Sequence, residues 1–286
     1  MHFACALLLI TLSLSLPNTA LSQRKKMPEP NRIPLLVRTT ARYELRRFAF
    51  GGTLTLIGAP EGSITIEGWS RSEVEISAEI QLRADTEADL DLLATVNTLV
   101  LDEDMNHIRV LTTGTHDRAF MRVAAKKFPK TLLDLPWRID YRIRVPVSTD
   151  LEINAGRGAI NLTGVEGNIR LSGTESEANL ELSGGTLWAT IAAGKLSLNT
   201  SSRSWRGVGA EVRLAAGEVT LELPYGFNGD IDAEILRSGQ IVDSYGGLEP
   251  REKPGITAQK MRARAGAGGA SFQLTVGDGT IYIRKQ

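Results

Sequence analysis

The sequence is poor in the side chains that most often bind metals or form disulfides. It contains one cysteine, Cys5, and three histidines in 286 residues. Cys5 and His2 lie within the first few residues, which leaves His107 and His116 as the histidines of the main body. A zinc site usually has three or four ligands held in a rigid frame. We therefore expect no metal and no cofactor.

Aromatic residues and an excess of one charge are also lacking. Aromatics make up 6% of the chain, and 33 basic residues balance 33 acidic ones. Proteins that bind nucleic acid usually carry a basic face or aromatic stacking platforms. We expect no nucleic-acid partner. Catalytic motifs are missing too, because no Gly-x-Ser-x-Gly elbow occurs and the glycines near Arg157 lack the dinucleotide-binding spacing.

The N-terminus does contain a clear pattern. Residues 3–16 are apolar, Pro17 ends this stretch, and Ala20-Leu21-Ser22 is a small-x-small sequence. This layout is typical of a secretory signal peptide over residues 1–22, cleaved near Ser22. The stretch is short for a membrane span, so we expect none after cleavage. Basic residues at 24–26 follow the apolar stretch instead of preceding it, which leaves an uncleaved anchor open.

Export fits the cysteine count. The chain beyond residue 22 has no cysteine and must rely on packing alone. That is more typical of a bacterial envelope protein than of a small secreted domain stabilised by disulfides. We therefore expect the protein in the periplasm, at the outer surface or secreted.

The chain after the signal divides into three parts. Residues 23–39 are a predicted linker, because charge and three prolines fall in 23–34. Residues 40–147 form an N-terminal β region of alternating polar and apolar segments with Gly and Pro turns. Within it, Leu90, Leu93 and Val96 recur at helical spacing behind acidic residues, which predicts a short helix over 85–96.

Residues 148–286 repeat a short apolar alternation. The pairs Leu151/Ile153, Ile160/Leu162 and Ile169/Leu171 begin nine residues apart, with glycines between them. Such short strands cannot bury a face alone, whereas stacked turns of chain share one core. We predict an all-β fold, a right-handed parallel β-helix (β-solenoid) with a short helical and loop insertion in its N-terminal half. An antiparallel β-sandwich is the alternative. The last segment, 271–285, is predicted as two strands joined by a Gly-Asp-Gly turn.

Three segments carry a family resemblance: GSITIEGWSRSEVEISAEI (62–80), LEINAGRGAINLTGVEGNIRLSG (151–173) and VGDGTIYIRK (276–285). On these segments, and over roughly residues 40–286, the sequence resembles the bacterial DUF4097 family. That family is regarded as a group of candidate adhesins close to auto-transporter adhesin head domains. The resemblance implies an exported β-helical protein with no established enzymatic activity, and it supplies no catalytic residues.

Candidate contact residues are exposed aromatics and one arginine. Trp188 lies between two residues expected to face inward, so it should face outward, and Trp205 falls in a predicted outward loop over 201–209. Arg157 and Tyr225 complete the set of candidate contacts with an unknown protein or polysaccharide ligand.

We expect an exported, non-enzymatic, adhesin-like binding or surface protein. Two alternatives stay open. One is a scaffold of bactofilin type that polymerises by self-association. The other is a carbohydrate-active β-helix enzyme, which would need acids on neighbouring rungs. The candidate acids are Glu166, Glu175, Glu177 and Glu181.

Overall fold

The computed structural model describes residues 36–58, 60–253 and 255–286, and strands predominate in them. The predicted signal peptide and linker residues 23–35 lie outside this part. The strands are β1 (Leu36–Arg47), β2 (Thr53–Ile57), β3 (Ile64–Trp69), β4 (Glu73–Ala84), β5 (Thr98–Glu103), β6 (His107–Thr113), β7 (Trp137–Pro146), β8 (Asp150–Thr163), β9 (Asn168–Glu181), β10 (Gly184–Asn199), β11 (Arg206–Leu223), β12 (Gly229–Asp243), β13 (Leu248–Pro250), β14 (Lys260–Ala265) and β15 (Ser271–Lys285). The helices are α1 (Glu87–Val96) and α2 (Arg118–Ala124), and a 3-10 turn covers Lys130–Leu132.

The centre of the sheet is a stack of six long parallel strands. They are neighbours in the order β8, β9, β10, β11, β15, β12. Leu151 lies beside Ile169, 18 residues on, and Ile169 lies beside Leu187, again 18 residues on. The stacking repeat is therefore twice the nine-residue spacing of the sequence, because each long strand contains two apolar alternations.

Each long strand bends near its middle. In β8 the buried side chains are Leu151, Ile153 and Ala155 before the bend, and Ile160 and Leu162 after it. The buried positions thus change from odd to even numbers at the bend. Glycines with φ between 127° and 146° lie at the bends of five strands: Gly158, Gly194, Gly217, Gly239 and Gly279. We call the residues before the bend the first arm and those after it the second arm.

Shorter strands continue both arms into the N-terminal half. β2 pairs parallel with the first arm of β8, with Leu54 beside Leu151, and β3 pairs parallel with the second arm, with Ile64 beside Ile160. β6 and β7 add a further layer, parallel to β2 and β3. The described residues belong to one compact unit, and this pairing runs across the predicted boundary at residues 147 and 148.

Antiparallel pairs close both ends of the sheet. β1, β4 and β7 are successive antiparallel neighbours, as are β5 and β6, and at the other end β12, β14 and β13. The all-β class is confirmed, but a parallel β-helix is not, because the sheet is mixed. The parallel centre also differs from the alternative antiparallel sandwich.

One hydrophobic core runs between the arms from Phe48 to Ile283. α1 contributes Leu90 and Leu93 to this core. The helix begins after Thr86, whose Oγ1 accepts a hydrogen bond from the backbone N–H of Asp89 at 3.1 Å. α1 thus lies inside the range 85–96 predicted for a helix. Neither helix in the described residues is long and apolar enough to cross a membrane.

Two segments differ from their predictions. β1 begins at Leu36, so residues 36–39 of the predicted linker are strand; it is an edge strand with little apolar alternation to reveal it. Ser271–Lys285 is one bent strand, because both of its arms pair parallel with β11 and Gly279 lies at the bend. Segments 113–136 and 243–268 contain α2, the 3-10 turn, β13 and β14.

Candidate functional site

The outward surface of the first arms is the candidate binding face. On β10 the buried residues Leu187 and Ala189 flank Trp188, whose residue surface is 38% exposed. Successive side chains of a strand point to opposite sides, so Trp188 faces away from the core, as the sequence predicted. It is the most exposed tryptophan in the described part of the chain.

The register of the parallel strands places one outward residue of each successive strand in line with Trp188. We call this set the central row: Thr55, Glu152, Arg170, Trp188, Glu211, Gln273 and Asp232. Glu152, Arg170 and Trp188 are spaced by 18 residues, the stacking repeat. An 18-residue spacing in the sequence would therefore have placed Glu152 and Arg170 beside Trp188. The nine-residue spacing of the apolar pairs, on which the prediction was based, does not align them.

Arg170 links its two neighbours in the central row. Its guanidinium lies 5.3 Å from the centre of the Trp188 ring, and Nη1 lies 3.5 Å from Oε1 of Glu152. Its side chain is 67% exposed, and contacts of this kind at exposed positions contribute little to folding. The Arg170 guanidinium is therefore accessible to a ligand, and it already lies beside the Trp188 ring.

A shallow depression of about 300 Å³ lies around these residues. Its lining consists of Glu152, Ile153, Arg170, Leu171, Ser172, Trp188 and Thr190. The lining thus combines an aromatic ring, two hydroxyl groups, a carboxylate and a guanidinium. An aromatic ring offers a flat apolar surface with an adjacent polar edge, and the hydroxyls both donate and accept hydrogen bonds. This set suits a neutral polyhydroxylated ligand such as a sugar.

Trp205 is buried, and its predicted outward placement is wrong. Only 7% of its residue surface is exposed. The ring meets Phe272 edge to face with centroids 5.3 Å apart, and Nε1 donates to the backbone oxygen of Gly185 at 3.0 Å. The residue immediately precedes β11, so its side chain turns into the core while the rest of the loop stays outside.

Arg157 and Tyr225 lie away from the central row. Arg157 is at the bend of β8, with Nε 3.9 Å from Oε2 of Glu175. Tyr225 is 72% exposed in the turn between β11 and β12, where the Lys285 ammonium lies 4.6 Å from its ring centre. The four candidate contact residues therefore do not form one site, and only Trp188 lies on the candidate face.

Two of the four rung acids considered for catalysis, Glu166 and Glu175, pair with cations. Glu166 pairs with Arg206 and accepts a hydrogen bond from Ser183 Oγ at 3.0 Å, and Glu175 pairs with Arg157 as above. No group of three or more His, Cys, Asp or Glu residues able to hold a metal occurs within the described residues.

The two histidines of the main body lie in different places. His107 Nε2 is 2.7 Å from Thr55 Oγ1, which also donates to Oε2 of Glu152 at 3.1 Å. His116 packs on Trp137 with ring centroids 5.3 Å apart, and burial lowers its pKa despite the nearby Asp117 carboxylate. His107 thus adjoins the central row, whereas His116 belongs to the insertion between β6 and β7.

No protein-family model matches this chain, and no curated protein matches it in sequence. Similar solved structures include a candidate cell adhesion protein from Clostridium sporogenes ATCC 15579, at 12% identity and a TM-score of 0.46, covering 86% of this chain and 100% of that one. A candidate adhesin from Bacteroides fragilis NCTC 9343 has 11% identity and a TM-score of 0.25, covering 85% and 97%. A candidate lipid binding protein from Parabacteroides distasonis ATCC 8503 has 10% identity and a TM-score of 0.19, covering 86% and 96%. At these values the neighbours assign no activity or ligand to this chain.

Proposed function

We propose that this chain is an exported, non-enzymatic binding protein of the bacterial envelope that holds a polysaccharide against the first arms. The observation that carries the proposal is Trp188, exposed at the middle of the central row with Arg170 beside its ring. Adhesin-like membership of the DUF4097 family and location in the periplasm, at the surface or outside the cell are parts of the same proposal.

The geometry favours an extended ligand over a compact one. Neighbouring strands in a sheet lie about 4.8 Å apart, so the central row presents a polar side chain at regular steps on both sides of Trp188. The depression is shallow, and the row continues past it to Glu211 and Gln273. A linear polymer can contact many such positions weakly and add their contributions.

The finer architecture is also part of this proposal. We take β8, β9, β10 and β11 as successive coils of a right-handed β-solenoid, the hand that parallel crossovers almost always have. The constant 18-residue offset between β8, β9 and β10 supports this view. Export rests on the N-terminal pattern, and fractionation that recovers the uncleaved chain from the cytosol would contradict it.

The test of the binding face compares Trp188→Ala with Tyr282→Ala. Tyr282 is the matched control because it is an aromatic on the outward side of the second arm of β15, with the Arg284 guanidinium 4.4 Å from its ring centre. Binding to immobilised bacterial polysaccharides is measured for both variants and the unaltered protein. We expect Trp188→Ala to weaken binding about tenfold or more, as loss of an aromatic contact usually does, and Tyr282→Ala to leave it unchanged.

Two outcomes of this test count against the proposal. Equal binding by Trp188→Ala and the unaltered protein would remove the first-arm face as the site. Release of shortened glycan during the assay would contradict the non-enzymatic part and would direct attention to the rung acids.

Self-association is the second candidate function, favoured by one observation. β1 pairs with β4 along its whole length, and its other edge has no strand partner among the described residues. A long exposed strand edge can pair with the edge of another chain. Sedimentation velocity separates the alternatives, because a scaffold gives long polymers that grow with concentration and a binding protein stays monodisperse.

A further inference from the structure

The segment between β6 and β7, residues 114–136, departs from the rest of the molecule in charge. It contains five basic residues and two acidic ones: Arg118, Arg122, Lys126, Lys127, Lys130, Asp117 and Asp134. All five cations are exposed, and none forms an ion pair with another described residue. By contrast Arg109 of β6 and Arg138 and Arg144 of β7 all pair with carboxylates. The positive charge of this segment is therefore uncompensated locally.

The segment is held in place at several points. Near its start the segment is anchored to the buried Asn97, whose Oδ1 accepts a hydrogen bond from the N–H of Thr115 at 2.9 Å. Asp117 caps α2 by accepting hydrogen bonds from the N–H groups of Ala119 and Phe120 at 2.8 and 2.9 Å. Two of its own side chains, Met121 and Leu132, are buried. One of its two acids is thus used for capping, which leaves Asp134 as the acid on its surface.

A cavity of about 620 Å³ opens within this segment. Its apolar wall includes Met121, Phe128 and Leu133, and its polar wall consists of Arg118, Arg122, Lys126, Lys130, Asp134 and Thr115. A volume between about 300 and 1,000 Å³ is usual for small-molecule sites. Most such sites are apolar with a few polar groups, whereas this one carries four cations around an apolar pocket.

We propose that this cavity binds one anionic amphiphile, with its acyl chain against Met121, Phe128 and Leu133 and its acidic head group among the surrounding cations. Two features support this occupant. Charge complementarity calls for an anion, and the apolar wall calls for a hydrocarbon chain attached to it. The site lies on the insertion, so it does not depend on the polysaccharide proposal for the central row.

The test uses lysophosphatidylglycerol and lysophosphatidylcholine of equal chain length, both below their micelle-forming concentrations. Calorimetric titration of the purified protein should show the anionic lysolipid binding at least tenfold more tightly. Arg122→Gln combined with Lys126→Gln should weaken that binding roughly tenfold to thirtyfold, because each cation near an anionic head group contributes about fivefold. Leu133→Ala should weaken both lysolipids alike, because it removes apolar contact only.

The matched control is Arg203→Gln combined with Lys285→Gln. These residues lack ion pairs within the described chain and lie in the β10–β11 loop and on β15, several strands away in the sheet. The control should bind the anionic lysolipid as the unaltered protein does, and so should Trp188→Ala, which separates this proposal from the first.

Four results would overturn the proposal. They are equal affinity for both lysolipids, an equal loss in the control variant, binding only to phosphatidylglycerol vesicles and not to monomers, and displacement of the lysolipid by an acidic peptide or RNA at comparable concentration. Circular dichroism of each variant confirms that the fold is retained.

Discussion

Gly194 lies at the bend of β10, in register with Ser176 of β9 and Gly217 of β11. Its φ is +127°, a region that residues with a Cβ rarely adopt. A Cβ added there would lie 2.1 Å from the backbone oxygen of Ser176. Alanine at this position therefore adds backbone strain and also pushes neighbouring strands apart.

The two effects can be given magnitudes. Backbone strain of this kind costs about 1–3 kcal/mol, and forcing atoms into a filled space costs about 1–3 kcal/mol more. Together they predict that Gly194→Ala lowers the free energy of unfolding by about 4 kcal/mol. For a domain of this size that corresponds to a fall in Tm of about 10 °C.

Urea denaturation followed by circular dichroism measures the loss, and Gly246→Ala is the control. Gly246 also has a positive φ, +71°, but a Cβ there meets nothing within 4 Å, so only about 1 kcal/mol should be lost. If Gly194→Ala lost no more than Gly246→Ala, the close contact between stacked bends, and with it the parallel stacking, would be refuted.

Two further predictions concern the core and the pH dependence of stability. Trp205→Ala should lower the free energy of unfolding, measured by urea denaturation, by about 3–5 kcal/mol. Trp205→Phe keeps the packing against Phe272 and loses only the hydrogen bond to Gly185, so it should cost about 1 kcal/mol. An alanine variant as stable as the unaltered protein would mean that Trp205 is not buried. Burial opposes ionisation of Asp140, but hydrogen bonds from Arg138 and Ser63 outweigh it and lower its pKa. Its stabilising effect is therefore complete above about pH 4, the ordinary carboxyl value, and is lost as the pH falls through the lowered pKa. Asp140→Asn should lose less stability than the unaltered protein between pH 5 and pH 2, and parallel losses would contradict this assignment.

The strand pattern could be predicted because inward positions must be apolar. Residues such as Leu151, Ile153 and Ile160 alternate along each arm, and their spacing revealed the strands. The length of the stacking repeat could not be obtained in this way. One arm or a whole two-arm coil could have been the repeating unit, and only the pairing of Leu151 with Ile169 decides between them. Outward residues such as Arg170 were therefore not aligned with Trp188.

The direction of the chain after a glycine was the second feature that could not be predicted from the sequence. Glycine at a bend and glycine in a hairpin turn look alike in sequence, so Gly277–Gly279 was predicted to reverse the chain. In the structure Gly279 keeps the strand moving forward, beside Gly217 of β11. Strand β14, which lies between β12 and β13 in the sheet, was missed for a different reason. Its buried side chains include Ala263 and Ala265, and alanine gives a weak strand signal.

The charge of the whole chain concealed the most unusual surface of the molecule. The chain has 33 basic and 33 acidic residues. When this charge is averaged over the whole surface, it predicts no attraction to anions. Ion pairs along the strands account for much of this balance, because cations and acids of neighbouring rungs neutralise each other, as Arg170 and Glu152 do. The insertion between β6 and β7 lies outside this ladder, and its cations lack partners among the described residues. A neutral protein can therefore carry a strongly basic cavity, and local charge at an insertion is a better guide to a ligand than total charge.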